Sequence, residues 1–138
     1  MKKIQFDIKF VRNWPEDEIV NLYKAGGWWN NYYDKSGIKH LINGSYVFAV
    51  VIDEKTGKTI GMGRVLSDGT SDAYIQDLVI LPEYRNKGIG KKLVKKLTDY
   101  CKSKNIHWIA LIAEPNQQGF YENLGFKKMK NYTPMKYD

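Results

Sequence analysis

The chain has 138 residues, enough for a single folded domain spanning residues 1–138 but too few for two. Hydrophobic residues at 43% and charged residues at 27% exclude a disordered or fibrous protein, and the longest apolar run, residues 47–52, excludes a membrane span, so we expect a cytoplasmic protein with no membrane partner. The net charge of +7 is uneven: residues 85–138 hold 12 Lys or Arg against 4 Asp or Glu, which indicates an anionic partner for that part.

The first half of the chain predicts helices and a run of antiparallel strands. Apolar and polar residues alternate from Ile4 to Val11, which is the period of a half-buried strand. Pro15 followed by three acidic residues is typical of a helix start, because acids favour the positive end of the helix dipole. The predicted elements are a strand over 4–11, a helix from Pro15 to about Lys24 ended by Gly26-Gly27, a short helix near 36–41, and strands over 46–53 and 59–66 joined by a turn at Gly57.

The second half alternates strands with helices. A helix from Gly90 to about Lys104 carries an apolar stripe that includes Cys101, so this cysteine is expected to be a buried, inert thiol. One cysteine and two histidines without ligand spacing exclude a disulfide within the chain and predict no metal site. The other predicted elements are a strand over 73–81, a buried strand over 107–113, a helix over 116–124, and a final strand or pair of strands from Phe126. This order predicts an α/β fold with a mixed sheet and helices on both faces.

A glycine-bearing segment, Arg85 to Gly90, lies between a strand and the start of the basic helix. Helix N-termini present unpaired N–H groups, and glycine allows an anion to approach the backbone, so the segment suits a phosphate. It matches neither common nucleotide loop, because Arg85 stands where GxxxxGK[ST] needs its first glycine and Leu93 where GxGxxG needs its third. An ordinary strand-to-helix connection would also explain two glycines here.

The same segment resembles the pyrophosphate-binding signature (Gln or Arg)-x-x-Gly-x-(Gly or Ala) of the GNAT superfamily of acyl-CoA N-acyltransferases. A second segment, Gly119 to Phe126, is similar to the Phe-Tyr-x-x-x-Gly-Phe segment of that superfamily. The resemblance covers the whole domain in element order, is sharpest over residues 74–126 and is loose before residue 60. It implies a mainly antiparallel mixed sheet with a splayed central strand pair, and acetyl-CoA as cosubstrate.

The resemblance also implies a cofactor site. It assigns the pantetheine arm to the backbone of Leu78, Val79 and Ile80. It assigns the pyrophosphate to the segment Arg85, Asn86, Lys87, Gly88, Ile89, Gly90 and to Lys91. Tyr121 would face the sulfur, where its phenol can give a proton to the departing thiolate. The alternative for Tyr121 is a packing role beside Phe120.

The general base is left open by the sequence. The superfamily often places an acid or histidine on the strand before the loop, where this chain has Tyr74, Gln76 and Asp77. Strand alternation puts Asp77 on the opposite face from the other two, so it reaches the site only if a bulge re-aims it, and otherwise is a structural acid. Glu114 stands where some relatives have a CoA-contacting asparagine, and its carboxylate would suit a cationic amine instead.

An aromatic segment before the strands is the candidate acceptor pocket. Aromatic faces attract ammonium groups, but the same rings would also serve as a satellite core. The candidate acceptor residues are Trp28, Trp29, Tyr32, Tyr33, Tyr74 and Gln76.

The leading hypothesis is an acetyl-CoA-dependent N-acetyltransferase in which a primary amine attacks the thioester directly. A small-molecule amine is favoured over a peptide amine because the short chain leaves little room for protein docking. The sequence leaves open whether the protein forms a homodimer. Two alternatives are a nucleic-acid-binding module using Lys91, Lys92, Lys95 and Lys96, which lacks a recognised reader motif, and a CoA-binding interaction protein without turnover. We expect no nucleic-acid partner.

Overall fold

A computed structural model describes residues 3–138 and contains five strands and four α-helices within that range. The elements in chain order are β1 (Phe6–Phe10), α1 (Glu16–Ala25), α2 (Gly37–Gly44), β2 (Val47–Asp53), β3 (Thr59–Ser67), β4 (Asp72–Ile80), a 3₁₀ turn (Pro82–Tyr84), α3 (Ile89–Ser103), β5 (Trp108–Ala110) and α4 (Gln118–Glu122). As predicted, Pro15 precedes α1, three acids fill its first turn, and Gly26 ends it.

The strands form one sheet in which their spatial order equals their chain order, β1-β2-β3-β4-β5. The first four strands pair antiparallel, and β5 pairs parallel with β4. The prediction of a mixed, mainly antiparallel sheet is therefore confirmed.

Neighbouring residues of β3 show that helices cover both faces of the sheet. A Cβ on Gly63 would lie 3.3 Å from Cδ1 of Leu97 in α3. The next side chain, Arg64, points the other way and meets Asp77, which also binds Tyr23 of α1. Since consecutive strand residues face opposite sides, α1 and α3 lie on opposite faces, as the element order predicted.

The core fills the space on both faces of the central strands. Residues 47–51 of β2 are all buried, and the apolar stripe of α3 packs against the sheet. Cys101 is fully buried on that stripe, as predicted, and burial raises the pKa of its thiol. Within residues 3–138, no helix is long and apolar enough to span a bilayer.

Two expectations for the C-terminal part are wrong. The predicted buried strand over 107–113 is a strand only over Trp108–Ala110, and it forms a sheet edge where Trp108 is 49% and Ile112 61% exposed. An edge strand has a neighbour on one side only, which an apolar run cannot reveal. From Phe126 to residue 138 the chain forms neither helix nor strand. This segment is exposed apart from the half-buried Phe126, and its four lysines keep it in solvent instead of in the sheet.

Candidate functional site

The two parallel strands separate after a short paired stretch. Pairing of β4 with β5 ends at Tyr74 and Ala110, whereas β4 continues to Ile80 with only β3 as its partner. The opening forms a cleft of about 240 Å³. Its lining residues are Trp28, Tyr74, Ile75, Gln76, Asp77, Leu78, Leu111, Ile112, Glu114 and Tyr121. The splayed strand pair is therefore present, and one edge of β4 faces the cleft.

A bulge in β4 decides where Asp77 points. Gln76 pairs with Arg64 and Val79 with Met62, so both Asp77 and Leu78 lie opposite the single residue between them, Gly63. Asp77 has a φ of 58°, in the left-handed region that side-chain-bearing residues rarely adopt. Because of the bulge, Asp77 shares the face of Gln76, and both bind Arg64. The sequence analysis expected Asp77 to reach the site only if a bulge redirected it, and that bulge is present.

The Asp77 carboxylate is already engaged by two donors. Arg64 Nε and the Tyr23 hydroxyl each donate to Oδ2 at 2.7 Å, and the side chains of Arg64 and Asp77 are only 16% and 22% exposed. Burial, and then the negative charge of Asp77, raises the pKa of Tyr23, so its hydroxyl stays a donor. This ion pair neutralises the carboxylate within the cleft wall.

Sequence reasoning missed Arg64 and Tyr23. They lie 13 and 54 positions from Asp77, and only the bulge and the packing of α1 bring the three together. One signal pointed to Arg64, because it is the only charged residue in the otherwise apolar run from Ile60 to Leu66.

A second wall of the cleft combines Trp28 with Glu114. The indole folds back over the end of α1, where a Cβ on Gly26 would lie 2.6 Å from the ring atom Cε3, so a residue with a side chain would displace it. Its Nε1 donates to Glu114 Oε1 at 3.1 Å. Within the described residues, Oε2 of Glu114 has no hydrogen-bond donor and remains available to a cation.

The other candidate acceptor residues divide between two places. Tyr74 and Gln76 line the cleft together with Trp28. Trp29, Tyr32 and Tyr33 lie outside the lining; Trp29 packs against the core, and the rings of Tyr32 and Tyr33 meet edge to face at 5.1 Å. The acceptor role remains a prediction for all of them.

Tyr121 closes the cleft from α4. Its ring lies between those of Phe120 and Phe126, with centroids 5.0 and 5.8 Å away. The tight turn that follows, with Gly125 at a φ of 97°, lets the Phe126 N–H donate to the Tyr121 carbonyl at 3.1 Å. Burial, and then the nearby charge of Glu114, raises the pKa of Tyr121 above its ordinary value of 10, so the phenol holds its proton at neutral pH.

The segment 85–90 follows β4 after the 3₁₀ turn Pro82–Tyr84. Gly88 has a φ of 83°, and a Cβ there would meet no atom within 4 Å, so the backbone is open to an incoming group. No side chain caps the N-terminus of α3, which leaves its first N–H groups for a ligand or solvent. Arg85 Nε ties the segment to β4 by donating to the Ile80 carbonyl at 2.8 Å.

The two motifs also meet in space. A Cβ on Gly90 would lie 3.4 Å from Cζ of Phe120, so the start of α3 packs against α4. The same Cβ would lie 3.9 Å from Cγ1 of Ile80, so the start of α3 adjoins both the end of β4 and the helix that carries Tyr121. Among the described residues, no group of three or more His, Cys, Asp or Glu side chains is arranged to hold a metal ion.

Comparison with known proteins agrees with this geometry. The family model described as the acetyltransferase (GNAT) family matches residues 8–126. An uncharacterized N-acetyltransferase, ycf52, from Gracilaria tenuistipitata var. liui is 32% identical over 111 residues, which is 79% of this chain but 60% of that protein. The chain thus matches less than two thirds of that relative's length.

Solved structures share the whole fold. A GNAT-family acetyltransferase from Streptococcus pneumoniae TIGR4 superposes with a TM-score of 0.82 at 27% identity, over 97% of this chain and 98% of that one. AAC(6′)-Iy, solved in complex with the bisubstrate analog CoA-S-monomethyl-acetylneamine, superposes with a TM-score of 0.73 at 18% identity, over 97% and 99% of the two chains. At that identity, the second likeness concerns the fold alone.

Proposed function

Because the chain belongs to the acetyltransferase (GNAT) family, we propose that it transfers an acetyl group from acetyl-CoA to a primary amine. One observation carries the proposal: Glu114 and Tyr121, two side chains able to exchange protons, line the same cleft as the free edge of β4. An amine and a thioester brought together there would have a proton acceptor and a proton donor within the same cleft.

The residues present fit acetyl-CoA. The unpaired edge of β4 offers backbone groups of Leu78, Val79 and Ile80 to an extended arm, as an added strand would use them. The open backbone at Gly88 and the uncapped start of α3 offer N–H groups of residues 86–91 to a pyrophosphate, whereas the Arg85 N–H already donates to the Pro82 carbonyl at 3.2 Å. The acetyl-CoA supplies the activated acetyl group when bound.

Glu114 is the better proton acceptor of the two carboxylates. Asp77 receives two donors and is paired with the Arg64 guanidinium, whereas Glu114 receives one neutral donor, the Trp28 indole, and has no cationic partner among the described residues. In the proposed mechanism, Glu114 first pairs with the ammonium of the acceptor and then holds the proton that the amine must lose before it attacks.

Tyr121 performs the opposite task at the sulfur. Its raised pKa keeps the phenol protonated, and its place in the cleft lining lets it give that proton as the thiol leaves. The second proton that the nitrogen loses as the amide forms restores the phenol. Cys101 is buried in the core on α3, so its thiol is not accessible to the acetyl group. The proposed transfer is therefore direct, from the thioester to the amine.

We propose a small-molecule amine as the acceptor. The cleft of about 240 Å³ suits a small acceptor, and Glu114 is its one carboxylate that lacks a cationic partner within the described chain. The complex of AAC(6′)-Iy with an analog joining CoA to an acetylated small molecule supports the capacity of this fold for such an acceptor.

The lysines of α3 give no support to a nucleic-acid role. Lys95 pairs with Asp99 at 2.7 Å, and Lys96 donates to the Ile8 carbonyl at 3.0 Å. Lys92 lies over the Phe6 ring at 5.5 Å. Three of these side chains therefore make contacts within the protein instead of forming a free basic face.

A binding and turnover experiment tests the proposal. Acetyl-CoA at 100 times its Kd should stabilise the protein by about 2.7 kcal/mol in a thermal-shift titration. Thiol release should then depend on both acetyl-CoA and an amine, in a panel of small amines and lysine peptides. Glu114→Gln should bind acetyl-CoA normally but lose about 10² to 10⁴-fold in kcat if Glu114 is the proton acceptor. Absence of thiol release with every amine would refute the transferase activity, and normal kcat in Glu114→Gln would refute the role of that residue.

A further inference from the structure

The bulge in β4 is held by a set of three side chains on three different elements. We call Tyr23 of α1, Arg64 of β3 and Asp77 of β4 the bulge clamp. Both donors converge on one oxygen, Asp77 Oδ2, each at 2.7 Å. Arg64 Nη2 also donates to Gln76 Oε1 at 3.3 Å, so the guanidinium holds two consecutive residues of β4.

Asp77 pays a conformational penalty to take part in the clamp. Its φ of 58° lies in a region that non-glycine residues avoid, although Asp and Asn tolerate it better than others. Such a conformation persists only when its surroundings fix it. Two short bonds to a side chain that is only 22% exposed provide that fixation.

The bulge has consequences for the cleft. It lies three residues beyond the last pair between β4 and β5, Tyr74 with Ala110, where the strands separate. Because a bulge bends its strand and increases the local twist, it turns the following segment, Leu78 to Ile80, relative to β5. The bulge also directs Leu78 across Gly63, where a Cβ would lie 2.6 Å from Leu78 Cδ2.

We propose that Asp77 is a positioning residue, and that the bulge clamp fixes the backbone of β4 in the form that receives the acetyl-CoA arm. The inference rests on the proposed function and adds Tyr23 and Arg64 to the residues that support it. In this role the Asp77 carboxylate takes no proton during turnover; it acts through the two donors that it accepts.

A pair of substitutions at Asp77 separates positioning from proton transfer. Asp77→Asn keeps one carbonyl oxygen that can accept both donors, and asparagine tolerates a positive φ. It cannot act as a base. Asp77→Ala removes the acceptor and disfavours the positive φ. We expect Asp77→Asn, which keeps the acceptor oxygen but loses the charge paired with Arg64, to retain clearly more kcat than Asp77→Ala, with an unchanged pH-rate profile. Asp77→Ala should lose about 10²-fold, as for a misplaced reacting group.

Titration calorimetry with coenzyme A tests the role of the clamp in cofactor binding, independently of turnover. Asp77→Ala should bind coenzyme A more weakly than Asp77→Asn does. If the wild type released no thiol with any amine, the proposed function would fail. The coenzyme A affinities of the two variants would still show whether the clamp positions the backbone of β4. Equal behaviour of the two variants in kcat and affinity, whether both intact or both impaired, overturns the proposal.

Tyr23→Phe is the second variant, in case Asp77→Ala does not fold. It removes one donor and leaves the carboxylate and Arg64 in place. A positioning role predicts weaker coenzyme A binding with an unmoved acid limb of the pH-rate profile. A shift of that limb would show that the clamp takes part in proton transfer and would overturn the proposal. Tyr46→Phe, which removes a hydroxyl outside this cleft, is the matched control.

Discussion

Tyr121 joins two properties that a proton donor needs. Its ring is fixed between Phe120 and Phe126, and its pKa is raised by burial and by Glu114. A packing tyrosine would show the first property as well, so only the hydroxyl distinguishes the two roles. The motif identified Tyr121 from the sequence, and Glu114 was also a candidate there, but only the structure shows that the two residues line the same cleft.

Tyr121→Phe should lower kcat by about 10² to 10⁴-fold while leaving the KM for acetyl-CoA nearly unchanged. The ring packing is retained, whereas the proton donor that acts as charge develops on sulfur is lost. Single-turnover rates are the measurement of choice, because slow product release would mask the loss in the steady state. A wild-type single-turnover rate would return Tyr121 to a packing role.

The segment before α3 is the element in which sequence and structure agree most closely. Both place a glycine-bearing connection at the start of a basic amphipathic helix, since short-range backbone chemistry determines that feature. The sequence allowed a bulge in β4 but did not predict it, because the bulge depends on contacts of Asp77 with residues 13 and 54 positions away. The strands expected after Phe126 failed for a similar reason: an apolar pattern does not state which partner a strand has.

Gly88→Asp should weaken acetyl-CoA binding much more than Gly88→Asn does. Both side chains are nearly equal in size and both must adopt the φ of 83°, so they share the steric and conformational cost. Only aspartate adds a negative charge where the pyrophosphate is proposed to bind. Calorimetric titration of acetyl-CoA into the two variants provides the comparison. Equal affinities would mean that the segment does not contact the pyrophosphate.

At the scale of the whole molecule, charge and architecture divide the chain at the same place. Residues 85–138, with 12 basic and 4 acidic residues, begin at the segment proposed to hold the pyrophosphate. Two lysines of α3, Lys92 and Lys96, also contact β1, so part of the positive charge serves to attach this helix to the far edge of the sheet. The basic composition therefore indicated an anionic ligand, but it could not show which lysines would contact that ligand and which make contacts within the protein.

The agreement between spatial and chain order in the sheet bears on how the protein folds and opens. The strands β2, β3 and β4 are joined by short turns, so their pairing closes small loops. Joining β5 to β4 requires the whole crossover through α3 and is secured by only three residue pairs.

The strand β5 is therefore expected to be the last strand to dock and the first to detach. In native-state hydrogen exchange, the amides of Trp108–Ala110 should exchange by local opening, well before those of β2 and β3, which should exchange only on global unfolding. Equal protection of β5 and β3 would contradict this order. If it holds, the cleft lies where the sheet opens at the lowest free energy, and substrates could enter by transient release of one edge strand without unfolding the core.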